Sequence, residues 1–133
     1  MRSLAVAGRR TQIGRPSLDD NRVVYARATP HANAIVKRTL GGPRPHRAKG
    51  TVIRSVIAGL SNPAIRGNQL LYVRSTRRGD VLKLVSLRGR GSGRTLLVRR
   101  GATLWSTALA EKRAYVTLIA GTTPREKILS VRR

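Results

Sequence analysis

Arginine is the residue type in this chain whose number and spacing suggest chemistry. The 133 residues include 28 Lys and Arg but only five Asp and Glu, so the formal net charge is +23. Arg accounts for 23 of those 28 cations. Its planar fork pairs with phosphate through two hydrogen bonds, whereas Lys offers a point charge. The composition therefore predicts a protein that binds a polyanion, and it favours nucleic acid over an anionic membrane.

Many of these cations lie in turns rich in Gly and Pro. The turn from Arg88 to Arg94 alternates Arg and Gly, so its backbone could approach phosphates while its side chains neutralise them. The segment from Gly41 to Gly50 contains two Pro, three Gly, three cations and a His, which predicts a basic loop. The alternative for each segment is a loop that faces solvent and binds nothing. The sum of these clusters favours contact with RNA.

Other chemistries have little support in the sequence. Cysteine is absent, which removes disulfides, thiolate chemistry and Cys-based zinc sites. His31 and His46 have no partner at metal-ligand spacing. Asp19 and Asp20 are adjacent, which suits a turn better than a pair of catalytic carboxylates. We therefore expect no metal, no cofactor and no enzymatic activity.

Hydropathy and aromatic content bear on two further classes of protein, those that span a membrane and those that stack bases of single-stranded RNA. The longest stretches without a charge, such as Ser55–Ile65, are about eleven residues, whereas a membrane-spanning helix needs roughly 20. The chain has three Tyr, one Trp and no Phe, which is a poor supply for stacking bases of single-stranded RNA. Trp105 and Tyr115 could stack on a base, but a lone aromatic in a small barrel is more often part of the core.

Short runs of β-branched and apolar residues, bounded by turn-forming residues, predict strands. They lie at Arg22–Ala26, Ala34–Arg38, Thr51–Ala58, Val81–Leu87, Arg94–Arg99, Thr103–Leu109, Ala114–Ala120 and Lys127–Val131. Ser106–Arg113 contains helix-favouring residues, and we interpret it as a strand that runs into a turn. Alternation predicts a core of Val81, Val85, Leu87, Leu96, Val98, Val116, Leu118, Ile128 and Val131. Strands at roughly ten-residue spacing indicate a small barrel or sandwich.

The first 15 residues contain four Arg and no acidic residue. This composition resembles an organellar transit segment. A basic arm that lies extended on RNA needs the same composition, so both interpretations stay open.

Several short motifs occur in a fixed order between Ile65 and Leu129. A Gly-Asn-x-Leu stretch at Gly67–Leu70 is followed by a glycine and a strand at Gly79–Leu87 and by a glycine-rich basic turn at Gly89–Thr95. A counterpart of Ala-Gly-Thr then lies at Gly101–Thr103, Tyr-Val-Thr-Leu at Tyr115–Leu118 and a closing strand at Arg125–Leu129. In this order the segment resembles the universal ribosomal large-subunit protein 2 family. Upstream, Val23–Arg38 resembles a family stretch of two strands, and Ala48–Gly50 is similar to the family's Ala-Pro-Lys-Gly.

The chain also departs from that family. The family's Arg-Gly-Gly-Gly-His-Lys segment and its long carboxy-terminal arm, rich in Gly and His, have no counterpart here. Lys83, Ser86 and Arg94 stand where the family usually has His, Glu and Gln. The resemblance therefore implies a divergent, truncated or split version, with a separate chain as one possible source of the arm. It points to a mitochondrial ribosome, with another organellar or a bacterial ribosome as the alternative.

The resemblance implies an all-β fold with basic extended loops and termini. The expected parts are a basic arm or transit-like segment at residues 1–18, a partial OB-type barrel at 19–63 and an SH3-like barrel at 64–133. The implied function is that of a structural constituent of the large ribosomal subunit, which binds ribosomal RNA and supports translation beside neighbouring ribosomal proteins. The alternative function is a free-standing basic protein that binds DNA or RNA as an architectural or regulatory factor.

The candidate RNA-binding residues are the clustered cations together with the Asn of the Gly-Asn-x-Leu stretch. They are Arg9, Arg10, Arg15, Arg44, His46, Arg47, Lys49, Arg66, Asn68, Arg74, Arg77, Arg78, Arg88, Arg90, Arg94, Arg99, Arg100, Arg132 and Arg133.

Overall fold

The computed structural model describes residues 8–40, 50–56, 62–88, 91, 93–121 and 125–133, with only the backbone described at 53–56. These ranges contain twelve strands and no helix, which confirms the all-β prediction. The strands are β1 Gln12–Ile13, β2 Ser17–Asp19, β3 Arg22–Ala28, β4 Asn33–Thr39, β5 Thr51–Val56, β6 Ala64–Arg66, β7 Gln69–Thr76, β8 Gly79–Ser86, β9 Arg94–Arg99, β10 Ala102–Leu109, β11 Arg113–Ala120 and β12 Arg125–Arg132. No helix in the described part of the chain is long and apolar enough to cross a membrane.

The strands form three antiparallel sheets. The first contains β1 to β5, the second has the order β6-β7-β8-β9, and the third has the order β10-β11-β12. In the ranges that the structure describes, the sheets do not close into a barrel. The OB-type and SH3-like barrel types therefore stay predictions.

The first sheet includes residues that the sequence suggested were an arm. Both β1 and β2 pair with β3, and the Gly14 N–H between them donates to the Ala26 carbonyl at 2.9 Å. Pro16, which has no N–H to donate, stands where this edge is interrupted. The segment 1–18, which the sequence suggested was an arm or a transit-like segment, therefore includes β1 and the start of β2, both paired in the first sheet.

Each of the eight predicted runs overlaps a strand, and Ser106–Arg113 is a strand as far as Leu109 followed by a turn, as predicted. The patterns missed β1, β2, β6 and β7. The omission of β7 matters most, because Leu70–Val73 is buried throughout. A continuous apolar run without alternation is typical of a strand that is covered on both faces.

The second sheet lies between two hydrophobic cores, because β7 points alternate side chains into each. Leu71 and Val73 belong to one core and Leu70 and Tyr72 to the other. The first core, between the second and third sheets, also contains Ala64, Leu82, Leu84, Leu104, Ala114 and Val116. The second core, between the first and second sheets, also contains Val24, Ile35, Ile65 and Val85. Residues on both sides of position 64 thus share one core.

The predicted core is partly wrong. Val98 is 49% exposed and Ile128 is 76% exposed. On β8, Leu82 and Leu84 face the third sheet, whereas Val85 packs into the core beside the first sheet. Because β8 carries apolar residues at both odd and even positions, alternation could not identify which face meets which neighbour.

Trp105 corrects another expectation, because its side chain is 45% exposed. The pairing of β10 with β11 shifts register between Leu104 and Thr107, so two residues of β10 lie opposite one residue of β11. Such a bulge changes the direction of the side chains within it. Tyr115, on the neighbouring strand, is half-buried.

Val116 and Ile128 give a direct test of the first core. Val116 is 1% exposed, so Val116→Asp would bury an unpaired charge and should lower the free energy of unfolding by at least about 3 kcal/mol. Ile128→Asp makes a comparable change on an exposed site of the same sheet and should have little effect. Thermal unfolding followed by circular dichroism, in salt that screens repulsion among the cations, measures both. Equal losses would contradict the assignment of Val116 to the core.

Candidate nucleic-acid interface

Two turns of the chain share the sequence Arg-Arg-Gly. The first, Arg77–Gly79, joins β7 to β8, and the second, Arg99–Gly101, joins β9 to β10. Both glycines have positive φ, +118° at Gly79 and +68° at Gly101. Glycine adopts this conformation without steric cost, so each turn can fold back sharply and leave its two Arg at the bend.

The two turns contact each other. A Cβ added at Gly79 would overlap the Arg99 carbonyl oxygen and lie 3.0 Å from the Arg100 Cα. The turns together line a cavity of about 570 Å³, which we name the arginine notch; its lining residues are Thr76, Arg77, Arg78, Gly79, Arg100 and Gly101. The repeated Arg-Arg-Gly is the signal in the sequence that could have linked the two turns.

Thr76 shapes the first turn of the notch. Its hydroxyl donates to the Gly79 carbonyl at 2.7 Å and accepts from the Arg78 N–H at 3.2 Å. These bonds hold the backbone of the turn. Arg77, Arg78 and Arg100 are exposed, so their guanidinium groups are accessible to a ligand.

Asp80 links the first turn to the strand that follows the second. It is 9% exposed and is the one buried charged residue among those described. Its Oδ2 accepts a hydrogen bond from the Leu104 N–H at 2.8 Å, and in the pairing of β8 with β9 it lies opposite Arg99. Asp80 was not among the candidate residues, although it directly follows the first Arg-Arg-Gly.

The opposite end of the second sheet is held by a small polar network. Asp19 accepts from Arg22 at 3.2 Å and from the Gly67 N–H at 2.7 Å, and Arg22 also donates to Asn68 Oδ1 at 3.3 Å. The Asn68 carbonyl accepts from the Leu87 N–H at 2.7 Å. In this structure Asn68 thus connects turns within the protein, and Arg22–Asp19 is the one ion pair found in the described ranges.

Further predicted site residues lie around this second end. Arg66 and Arg88 are exposed beside the turn that joins β6 to β7, and Arg94 is exposed at the start of β9. The eight residues of β7 separate this end from the arginine notch by about 25 Å at the rise of an extended strand. Gly93, with φ +73°, is packed so closely that an added Cβ would overlap the Val85 side chain. At this position glycine serves packing against β8.

The other candidates are more dispersed. Arg9 and Arg10 are exposed near β1, Arg15 is exposed between β1 and β2, and Arg74 is exposed on β7. Arg132 is exposed and Arg133 half-buried, with its Nη1 buried and without a partner. Arg44, His46, Arg47, Lys49 and Arg90 lie outside the described residues.

A groove of about 440 Å³ separates β2, β6 and β10. Asn62 crosses it, since its Oδ1 accepts from the Arg15 N–H at 3.1 Å and its Nδ2 donates to the Ser106 hydroxyl at 3.1 Å. The Thr107 hydroxyl donates to the Asn62 carbonyl at 2.7 Å. These bonds make Asn62 a junction between the sheets. Within the described ranges, no three His, Asp or Glu side chains are grouped as a metal site requires.

Comparison with known proteins adds no relative. No family model matches the sequence, and no curated protein matches it. The functional interpretation therefore depends on the residues themselves and on the motif resemblance.

Substitution of Asp80 tests the hydrogen bond that supports the notch, because its loss should lower the free energy of unfolding. Asp80→Ala leaves the buried Leu104 N–H without an acceptor and should lower the free energy of unfolding by about 1–3 kcal/mol. Asp80→Asn retains an oxygen acceptor and should cost less. Glu111→Ala removes the same charge from an exposed turn and should change stability by less than about 0.5 kcal/mol. Thermal unfolding of the three variants is the measurement, and an equal effect of Asp80→Ala and Glu111→Ala would refute the structural role.

Proposed function

We propose that this protein binds ribosomal RNA as a structural constituent of the large ribosomal subunit, through contacts between Arg and phosphate. The observation that carries the proposal is the arginine notch, where three exposed Arg from two turns meet without an acidic side chain in its lining. Like charges brought together in a folded protein repel each other, and a polyanion relieves that repulsion. The ribosomal part of the proposal is supported by the ordered motif resemblance.

The distribution of cations favours an extended partner. Arg77, Arg78 and Arg100 lie at one end of the second sheet, and Arg66 and Arg88 lie about 25 Å away at the other. A single small anion cannot contact both ends. A nucleic-acid backbone, with a regular series of phosphates, can.

The aromatic side chains favour contacts with the backbone rather than with bases. Tyr25 and Tyr72 are buried in the protein, which leaves two aromatic side chains with surface for stacking, Trp105 at 45% exposed and the half-buried Tyr115. Stacking on aromatics is the usual means by which proteins hold single-stranded bases. Recognition of phosphates and of helix shape is the mode that the exposed side chains support.

Sedimentation of the native protein tests the proposal against its main rival, a free-standing DNA- or RNA-binding regulator. In a sucrose gradient of a mitochondrial lysate, the protein should migrate with large ribosomal subunits and should leave those fractions after ribonuclease treatment. A matched cytosolic lysate tests the proposed organelle. Recovery only in slowly sedimenting fractions, or with DNA, would overturn the ribosomal proposal in favour of the regulator.

The affinity for RNA should depend steeply on salt concentration. Each neutralised phosphate releases counterions, so the slope of log affinity against log salt is about −0.7 to −0.9 per contact and about −4 for five contacts. Titration of a large-subunit RNA fragment with the purified protein at several salt concentrations gives this slope. A slope near zero would contradict phosphate-driven binding.

A further inference from the structure

We infer that the arginine notch is a preformed site for the phosphates of one backbone strand in an RNA double helix, and that it reads helix shape rather than sequence. The inference rests on the proposed function. It adds where the RNA backbone binds on the protein and which form of RNA is bound.

The geometry of the notch is set by the protein before any ligand arrives. Close packing of Gly79 against Arg99 fixes the distance between the two turns. The bond from the Leu104 N–H to Asp80 fixes the strand that leaves the second turn. A site with fixed spacing suits a partner whose phosphates also have fixed spacing, which describes a helix better than a flexible single strand.

The chemistry of the lining matches phosphate. Arg77, Arg78 and Arg100 supply guanidinium forks, which pair with two phosphate oxygens at once. The remaining lining residues are Thr76 and two glycines, so the notch has no aromatic ring on which a base could stack. It also lacks a large apolar side chain that could enter a lipid layer. A backbone contact of this kind positions the nucleic acid without reading its bases.

Gly79→Ala tests the notch without a change in charge. The new methyl group would overlap the Arg99 carbonyl and must separate the two turns. Gly67→Ala is the matched control, because Gly67 also has positive φ, +54°, but an added Cβ there meets no atom within 4 Å. The probes are a synthetic RNA duplex of about 16 base pairs, the span of a typical duplex-binding module, a second duplex of different sequence, and one separated strand.

For Gly79→Ala we expect an affinity for the duplex reduced about tenfold and a salt slope less steep by about 1 to 2, the contribution of one or two phosphate contacts. Gly67→Ala should change the affinity less than about twofold, because its methyl group enters open space and leaves the notch unaltered. Both duplexes should bind the unaltered protein equally, and the single strand should bind it more weakly. Circular dichroism of both variants shows whether the fold is retained.

If Gly79→Ala does not fold, two double variants test whether the notch binds the RNA duplex. Arg78→Gln with Arg100→Gln removes two charges from the notch. Lys112→Gln with Lys127→Gln removes two exposed charges elsewhere, one from the turn between β10 and β11 and one from β12. The notch pair should reduce affinity and salt slope well beyond the control pair. Equal losses, or single-stranded binding as tight as duplex binding, would overturn the notch while leaving RNA binding intact. Failure of the unaltered protein to bind any RNA would instead refute the proposed function.

Discussion

The burial of β7 on both faces is the constraint on which the rest of this structure depends. Leu70 and Tyr72 pack towards the first sheet, and Leu71 and Val73 pack towards the third. Removal of this apolar surface from water is the main favourable term available to so small a protein. Because β7 is central, the second sheet becomes the middle layer, and the turns at its two ends lie at the surface between the flanking sheets.

Those turns carry several exposed cations, among them Arg66, Arg77 and Arg78. An uncompensated Arg is tolerated at a bend because its guanidinium stays hydrated there, whereas burial of the same charge would be costly. The one buried charged residue among those described, Asp80, has a backbone N–H as its partner. The same residue fixes the strand that leaves the second Arg-Arg-Gly turn. The stability of the first core and the geometry of the arginine notch are therefore connected through one hydrogen bond.

Local patterns predicted most strands and failed at particular positions for physical reasons. Alternation located β11 correctly and identified Val116 as core. It failed for Ile128, which lies 76% exposed on β12, the edge strand of the third sheet. The separate expectation that Trp105, as a lone aromatic, belongs to the core also failed, because a bulge changes side-chain direction without a signal in the local composition. The local patterns also omitted β7, because burial on both faces removes the alternation of apolar and polar residues on which the prediction relied.

The sequence by itself determined the charge, the β class and the presence of Arg at turns, because these follow from residue types and from neighbours a few positions apart. The tertiary structure decided which Arg lie together. Arg78 and Arg100 are 22 positions apart in the chain. They meet because β8 leads away from the first turn and β9, which pairs antiparallel with β8, returns to it. Strand register and the packing of Gly79 against Arg99 are properties of long-range contacts. No local pattern encodes them.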